Sequence, residues 1–401
     1  MKIGVIGGGA SGLIAAISAA RSKAEVSIYE RCDRVGRKIL ATGNGRCNYT
    51  NINADIKNYH GENPDFVRDA KNSFWVEETK AFFEELGMLT RVENEGKAYP
   101  YSLQASAVLD VLRFEAERLG INIITDFEVS ELKKTDKGFF IKAYSGEVAR
   151  ADKVILAAGG KASPSLGSNG SGYDIAKALG HTITKTFPAL VQVRTETELV
   201  KALKGIKTDA AVRYKNGNIR AESVGEVLFC DYGLSGPAVF NISRLCSEYK
   251  NGEIILDLLP EIDYNSLREL LKKRRSQKRN LENFFVGMIN KKIGMTVMKY
   301  AGVLPYSRNA DTLSDTEINR LCEGLKSFKL KVTGTMSWNN AQVTAGGIAT
   351  DEVDSKTFES KLCPGLYIVG EILDIDGDCG GYNLQWAWAG GFIAGKSAGT
   401  E

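Results

Sequence analysis

The first thirty residues constrain the fold more than any other stretch of the chain. A short apolar run, Ile3 to Ile6, predicts a buried strand, and three glycines follow it at the spacing G-x-G-x-x-G. These glycines are Gly7, Gly9 and Gly12. A helix is predicted from about residue 11 to 22, and a second strand over 25–29 ends at the acidic residue Glu30. This order of elements predicts a βαβ unit with a parallel sheet.

Each glycine of this turn has a separate physical role. Gly7 permits the tight turn off the strand, Gly9 lets the backbone approach a pyrophosphate, and Gly12 lets the helix lie close to the sheet. The helix N-terminus directs its free N–H groups at the phosphates, and Glu30 is placed to accept hydrogen bonds from ribose hydroxyls. A βαβ unit without a ligand is the alternative interpretation. The complete order within thirty residues favours dinucleotide binding.

Composition restricts the class of protein. A chain of 401 residues with 43% hydrophobic and 25% charged residues is typical of a soluble protein of two or three domains. The net charge of +3 is too small to indicate a polyanionic partner. Seven scattered cysteines without a C-x-x-C pair indicate neither a zinc site nor a disulfide framework. With no apolar run of membrane length and a strand starting at once, we expect a cytoplasmic protein without a membrane span.

The loop after Glu30 supplies further candidate contacts to a nucleotide. It contains three glycines and the cations Arg37, Lys38 and Arg46. Exposed backbone N–H groups and positive charge suit a second approach to a diphosphate or to an electron-rich ring. The alternative is a solvated basic loop. Its position directly after the ribose acid favours the ligand-binding interpretation.

Two later strands end in residues that suit a bound flavin. A buried strand over 153–158 ends in the pair Gly159–Gly160, and another over 365–369 ends at Gly370 and Glu371. An acid there can bind a sugar-alcohol chain. A helix opened by Gly380–Gly381 can direct its positive end at a ring whose reduced form carries negative charge. Val129 lies in a predicted strand, 128–133, that is expected to return beside an adenine.

The pattern of apolar and polar residues changes at Pro188, which divides the chain into segments. Residues 1–188 and 334–401 are predicted to form one Rossmann-like α/β domain in two parts. Residues 189–260 alternate apolar and polar side chains, which predicts an inserted β-rich, barrel-like domain. Residues 261–333 show apolar residues at helical spacing, which predicts an inserted helical subdomain.

Two charged stretches have competing interpretations. The basic run from Lys272 to Arg279 suits a nucleic-acid contact or, alternatively, a solvated helix end, and the small net charge favours the second. Asp374, Asp376 and Asp378 alternate like calcium ligands but lack the later bidentate glutamate, so no metal site is predicted.

Several motifs together resemble one protein family. The residues that carry the resemblance are the first thirty, Gly36–Lys38, the run Thr42–Asn48, Ala157–Gly160, Thr344–Gly347, Gly370–Asp374 and Gly380–Trp388. The chain is similar over nearly its whole length to the HI-family YhiN-like flavoproteins of the BaiN and RdsA type. The resemblance implies a flavoprotein fold of the type with two dinucleotide-binding domains, FAD as cofactor and NAD(P)H as electron donor. It also implies the reduction of unsaturated or carbonyl compounds.

The motifs and the resemblance together define a predicted set of FAD-binding residues. The set is Gly7, Gly9, Ala10, Ser11, Gly12, Glu30, Arg31, Arg37, Lys38, Asn44, Gly45, Arg46, Val129, Ala158, Gly159, Gly370, Glu371, Gly381, Asn383 and Leu384. No catalytic acid is assigned, because neither histidine, His60 or His181, lies in a recognisable pair, and Cys47 lacks the C-x-x-x-x-C partner of disulfide reductases.

Three functions are compatible with these predictions. The first is an FAD-dependent oxidoreductase that passes hydride through flavin N5 to a small organic substrate. The second is a flavoprotein that acts on nucleic acid such as tRNA. The small net charge makes this the weaker hypothesis. The third is an FAD-stabilised binding protein without turnover. The oligomeric state is not predicted.

Overall fold

The computed structural model describes residues 1–277 and 279–400, so Lys278 in the basic run and Glu401 lie outside it. The chain forms two compact units, unit 1 from Met1–Pro188 with Trp338–Glu401, and unit 2 from Ala189–Ser337. No helix in the described ranges is sufficiently long and apolar to pass through a lipid bilayer.

Both ends of the chain contribute strands and helices to unit 1, and the middle of the chain forms unit 2. The first part of the chain contains β1 Lys2–Ile6, α1 Ala10–Arg21, β2 Glu25–Tyr29, α2 Arg37–Ala41, β3 Thr50–Asn51, β4 Tyr59–His60, α3 Val67–Ser73, α4 Val76–Glu85, β5 Thr90–Val92, β6 Lys97–Pro100, α5 Ala105–Arg118, β7 Asn122–Ile124, β8 Val129–Thr135, β9 Gly138–Ala143, β10 Val148–Ala151, β11 Lys153–Leu156, α6 Ser171–Ala178 and β12 Phe187–Ala189. Unit 2 contains β13 Val193–Thr195, β14 Lys207–Asn216, β15 Ile219–Cys230, β16 Gly233–Ser235, α7 Pro237–Glu248, β17 Glu253–Asp257, α8 Tyr264–Arg275, α9 Lys291–Tyr300, α10 Asp315–Lys326 and β18 Phe328–Thr335. The last part contains β19 Val343–Ala345, β20 Leu366–Ile368, β21 Asp376–Gly377 and α11 Tyr382–Gly399.

Unit 1 is built on a parallel sheet of five strands. Their order is β20-β11-β1-β2-β7, and every neighbouring pair is parallel. Strand β1 is buried from Ile3 to Ile6, as expected for an apolar run covered on both faces of a parallel sheet. In such a sheet the carboxyl ends of β1, β11 and β20 lie at one edge, where α/β proteins bind ligands.

Helices α1 and α11 pack against each other through glycines. A side chain at Gly391 would overlap the carbonyl oxygen of Ser11, and one at Gly395 would overlap that of Ala15. The contact moves from Ser11 to Ala15 on α1 as it moves from Gly391 to Gly395 on α11, so the two helices run in the same direction. Helix α11 begins at Tyr382, nine residues before Gly391, whereas α1 begins one residue before Ser11, so a rise of about 1.5 Å per residue carries the N-terminus of α11 about 12 Å beyond that of α1.

Unit 2 contains a closed barrel with the strand order β13-β16-β15-β14-β17-β18. Its last strand, β18, lies mostly within the range predicted as helical, 261–333. The burial in this strand alternates, because Phe328, Leu330 and Val332 are buried while the lysines between them are exposed. Conversely, helix α7 lies within the range predicted as β-rich, 189–260. Side chains of the barrel and of α8, α9 and α10 share one hydrophobic core. The structure therefore differs from the predicted division of this insertion into a β half and a helical half.

Candidate functional site

The turn between β1 and α1 has the open geometry of an anion site. Gly7 has φ +104°, and a Cβ there would lie 2.5 Å from the carbonyl oxygen of Ala157. No atom lies within 4 Å of the Cβ position of Gly9, so the backbone is accessible there. Helix α1 begins at Ala10 with no side-chain cap and no acid in its first turn. Its free N–H groups, including that of Ser11, therefore favour a phosphate.

Glu30 is held next to this turn by backbone groups. Its side chain is buried, Oε2 accepts a hydrogen bond of 2.8 Å from the N–H of Gly8, and Oε1 accepts one of 2.8 Å from Cys32. Its own carbonyl oxygen accepts from the N–H of Phe127, two residues before the buried Val129. The structure thus brings Glu30 and the start of β8 together, as a ribose and adenine site requires.

The neighbouring arginines contact the protein itself. The Arg31 guanidinium lies 3.9 Å from the Glu128 carboxylate, and Arg37 donates a hydrogen bond of 3.0 Å to the carbonyl oxygen of Ser165. Both side chains are about one-third exposed, so each keeps a solvent-facing part.

Lys38 and Glu371 meet although 333 positions separate them in the sequence. Their Nζ and Oε2 atoms are 2.5 Å apart, and Oε1 of Glu371 accepts a hydrogen bond of 3.0 Å from the N–H of Thr344. Gly370 lies against α1, because a Cβ there would be 2.5 Å from Oγ of Ser11. The strand end predicted to bind a sugar-alcohol chain therefore lies beside the N-terminus of α1.

The end of β11 also faces this edge of the sheet. Ala158 is half-buried and lies against Gly172, at the start of α6. Gly159 has φ +70°, and its Cβ position is 3.1 Å from Oγ of Ser168. A residue with a side chain would be strained there, which explains a glycine after the buried strand.

The run from Thr42 to Asn48 folds into a tight loop. Asn44 has a left-handed backbone, with φ +54°, and both it and Gly45 are exposed. Arg46 is directed elsewhere, since it donates a hydrogen bond of 2.6 Å to Glu93 and its guanidinium lies 4.2 Å from the ring centre of Tyr99. The predicted contact of Arg46 with the cofactor therefore competes with a contact inside the protein.

The N-terminus of α11 carries an unsatisfied acceptor. Among the described residues, Oδ1 of Asn48 is buried without a hydrogen-bond partner, and it lies 2.9 Å from the Cβ position of Gly381. Gly381 precedes α11 with φ +100°, and the helix has no side-chain cap and no acid in its first turn. A buried acceptor without a partner is costly, which points to a ligand that donates a hydrogen bond there.

The first turn of α11 is fixed by its own side chains. The amide of Asn383 accepts from the N–H of Gly377 and donates to its carbonyl oxygen, each at 2.8 Å. Leu384 is half-buried and packs against the core of unit 1. Trp386 and Trp388 are buried and donate to backbone carbonyl oxygens, so they belong to the core. Asn383 thus orients the loop before the helix.

Comparison with known proteins identifies the family. The family model described as HI0933-like protein Rossmann domain matches residues 1–397. The chain belongs to this family. The 3-dehydro-bile acid delta(4,6)-reductase of Clostridium scindens is 42% identical, with 99% of this chain and 98% of the relative covered. The ribosomal RNA dihydrouridine synthase of Escherichia coli is 30% identical, with 96% and 94% covered.

Solved structures resemble the chain more distantly. The open conformation of a flavocytochrome c3 fumarate reductase matches with a TM-score of 0.48 and 17% identity, covering 99% of this chain and 78% of that one. The 3-ketosteroid-delta4-(5alpha)-dehydrogenase of Rhodococcus jostii RHA1 matches with a TM-score of 0.48 and 17% identity, covering 100% and 96%.

Membership in the HI0933-like family confirms several predictions. The resemblance to YhiN-like flavoproteins and the Rossmann-like fold with an inserted barrel are confirmed. The chain is an FAD-dependent oxidoreductase.

The polar groups of unit 1 fit FAD. The open N-terminus of α1 suits the diphosphate, Glu30 suits a ribose, and Glu371 suits the sugar-alcohol chain. The unpaired oxygen of Asn48 suits an N–H donor on the polar edge of the ring, and the N-terminus of α11 suits its carbonyl oxygens. The individual contacts remain predictions.

Sequence reasoning missed three residues that the structure places at the start of α11. Asn48 ends the Gly-Asn-Gly-Arg-Cys-Asn run, so that motif was an available signal. His60 and Asp378 lie 2.8 Å apart, between Nε2 and Oδ1. The sequence gives no sign that His60 and Asp378 are neighbours, because 318 positions separate them. The pairing of β4 with β21 brings these two residues together in the fold.

Proposed function

We propose that the protein uses NAD(P)H to reduce a carbon–carbon double bond conjugated to a carbonyl group in a small organic substrate. The observation that carries the proposal is the pair of uncapped helix N-termini in unit 1, about 12 Å apart along the α1–α11 axis. One suits a diphosphate and the other an electron-rich ring. FAD, when bound, supplies hydride transfer through its ring atom N5.

The protein's own groups bind and orient the cofactor and favour its reduced form. The positive end of α11 stabilises negative charge that develops at a nearby ring on reduction. The ion pair between Lys38 and Glu371 lies at the same edge of the sheet but carries no net charge, so the helix is the source of the positive potential. This potential acts before any substrate binds, so it supports electron uptake from a nicotinamide donor.

The names of the relatives support the substrate class. The C. scindens relative is named as a reductase of 3-dehydro-bile acids, and the E. coli relative is named for making dihydrouridine. Both names describe the addition of hydrogen to an unsaturated ring that carries a carbonyl group. A substrate of this kind accepts hydride because its carbonyl group takes up the charge.

A ribosomal RNA substrate is the second candidate, favoured by the two relatives named as ribosomal RNA dihydrouridine synthases. The basic run of unit 2 does not add support. Lys272 contacts Glu269 at 2.9 Å, and Arg275 contacts Asp315 at 2.8 Å. Arg274 donates to the carbonyl oxygens of Phe284 and Val286. These contacts within the protein support the interpretation as a helix end.

Two anaerobic experiments test the proposal. The purified yellow protein is first mixed with NADH or NADPH, and we expect one of them to remove the colour. Colour that persists with both would count against an NAD(P)H-linked enzyme and in favour of a binding protein. The reduced protein is then mixed with a panel of α,β-unsaturated ketones or with a ribosomal RNA transcript. Return of the colour with the ketones alone supports the small-molecule substrate, and return with the RNA alone would contradict it.

A further inference from the structure

His60 and Asp378 form a pair at the start of α11. Strands β4 and β21 are antiparallel, with His60 opposite Asp376, and this pairing places the imidazole beside the loop before the helix. Nε2 of His60 lies 2.8 Å from Oδ1 of Asp378, three residues before Gly381. The His60 side chain is 38% exposed, so the ring can exchange protons with solvent.

Asp378 is fixed through its backbone and its carboxylate by Asn58, just before β4, and by Asn383 of α11. Its N–H donates to the carbonyl oxygen of Asn58 at 2.9 Å, and its Oδ2 accepts from the Asn58 amide at 3.2 Å. Its carbonyl oxygen accepts from Asn383 in the first turn of α11 at 3.3 Å. A carboxylate held in this way accepts a hydrogen bond from Nε2 of His60 and orients the ring. Nδ1 is then the nitrogen from which a proton can be passed on.

The pair is tied to the helix start that suits the flavin ring. Tyr59, next to His60, donates a hydrogen bond of 3.0 Å from its hydroxyl group to the carbonyl oxygen of Tyr382, the first residue of α11. The backbone of His60 is therefore attached to the first turn of this helix. A substrate that receives hydride at the ring must bind within reach of the same turn.

Other acids near this turn are poorer proton donors. Burial raises the pKa of Cys379 to about 11, and burial also raises the pKa of Tyr382. The second histidine of the chain, His181, is buried and bonded to Glu352 and Ser360. An acid works best when its pKa lies near the working pH, and imidazole is the side chain whose ordinary pKa is nearest to neutrality.

We propose that His60 is the acid that protonates the substrate, with Asp378 as its positioning residue; this inference rests on the proposed function. Hydride, derived from NAD(P)H, forms a bond to the substrate carbon farther from the carbonyl group. The electrons of the double bond then form a C–H bond at the nearer carbon with the proton from Nδ1 of His60, and the N–H bond breaks. Neutral His60 recovers its proton from solvent.

Rapid mixing of the FAD-loaded protein separates the two half-reactions. In His60→Gln we expect reduction by NAD(P)H at the wild-type rate, and reoxidation by 2-cyclohexen-1-one or a 3-oxo-4,6-diene steroid slowed at least about 100-fold. Asp378→Asn should lower kcat with little change in KM and shift its pH profile. Glu62→Gln, an exposed neighbour on the same loop, is the matched control and should behave as the wild type. Reoxidation of His60→Gln at the wild-type rate would overturn the inference.

A second readout does not depend on turnover. The protein has two histidines, so ¹³C-labelled histidine gives two ring signals, assigned with His60→Gln. Reduction of bound FAD with dithionite should shift the His60 signal, and an unshifted signal would also overturn the inference. If the signal shifts but no enone reoxidises the wild-type protein, the proposed function is refuted and proton delivery by His60 with it. Normal turnover of His60→Gln would refute only the role of His60.

Discussion

Substitution of Gly395 by alanine tests the packing of α11 on α1. The added Cβ would overlap the Ala15 carbonyl oxygen and would lie 2.8 Å from Cβ of Ser18 and 2.9 Å from the Ala15 carbonyl carbon. Ordinary contacts begin at 3.4 Å, so the helices must separate by at least half an ångström. Such overpacking costs about 1–3 kcal/mol, while alanine in a helix gains about 1 kcal/mol over glycine. We expect a net loss of about 0–2 kcal/mol.

Gly390 is a matched control in the same helix. The three atoms nearest to its Cβ position all belong to the Phe358 side chain, the first at 3.2 Å, and a side chain can move aside more easily than backbone, so Gly390→Ala should be neutral or stabilising. The two variants should therefore differ by roughly 2 kcal/mol, or about 0.7–1 M in the urea midpoint. Tryptophan fluorescence follows this transition selectively, because all four tryptophans lie in unit 1. Equal midpoints for the two variants would refute the close-packing argument.

Three further changes have defined outcomes. Glu30→Ala should weaken FAD binding by about 1.5–3 kcal/mol through lost hydrogen bonds to a charged group, and unchanged retention on dilution would contradict the ribose assignment. Asn48→Ala should raise the urea midpoint of the apoprotein, since it removes a buried unpaired oxygen, and should lower FAD affinity in titrations. Burial lowers the pKa of His181 below its usual 6.5, so the unfolded chain binds more protons. Stability should therefore be complete above about pH 7 and fall as the pH drops below that value, less steeply in His181→Gln.

Local sequence predicts the first part of the fold well. Strand β1, helix α1 and strand β2 lie within about two residues of their predicted bounds, because apolar periodicity and glycine spacing act over short distances. Of the three glycines in the first turn, Gly7 and Gly12 lie too close to backbone atoms to carry a side chain, and Gly9 faces open space, as their predicted roles require.

The insertion was harder to predict from sequence. The alternation in β18 was visible, but it follows directly on the helical spacing of α10, and three or four alternating residues are a weak signal. Helix α7 begins at Pro237 between short strands, where the surrounding alternation concealed it. Closure of the barrel depends on pairings such as β13 with β18, which no local pattern encodes.

For the candidate site too, local sequence predicted single residues but not the contacts between distant segments. Glu30 was predictable because it ends a strand within the βαβ unit, and Glu371 because it follows a buried strand. The ion pair of Lys38 with Glu371 and the pair of His60 with Asp378 arise from folding of distant segments. Sequence supplied the members of these pairs but not their pairing.

The pairing of β13 with β18 brings the two ends of unit 2 together, as in a domain inserted into a host fold. Val193 is opposite Thr335, and the N–H of Met336 donates to the carbonyl oxygen of Gln192, so the two ends of this unit are about 5 Å apart. An insertion with adjacent ends can be exchanged or lost without stretching the host chain on either side. Recombination between relatives could therefore replace the barrel and its helices as one block while the nucleotide-binding host stays intact.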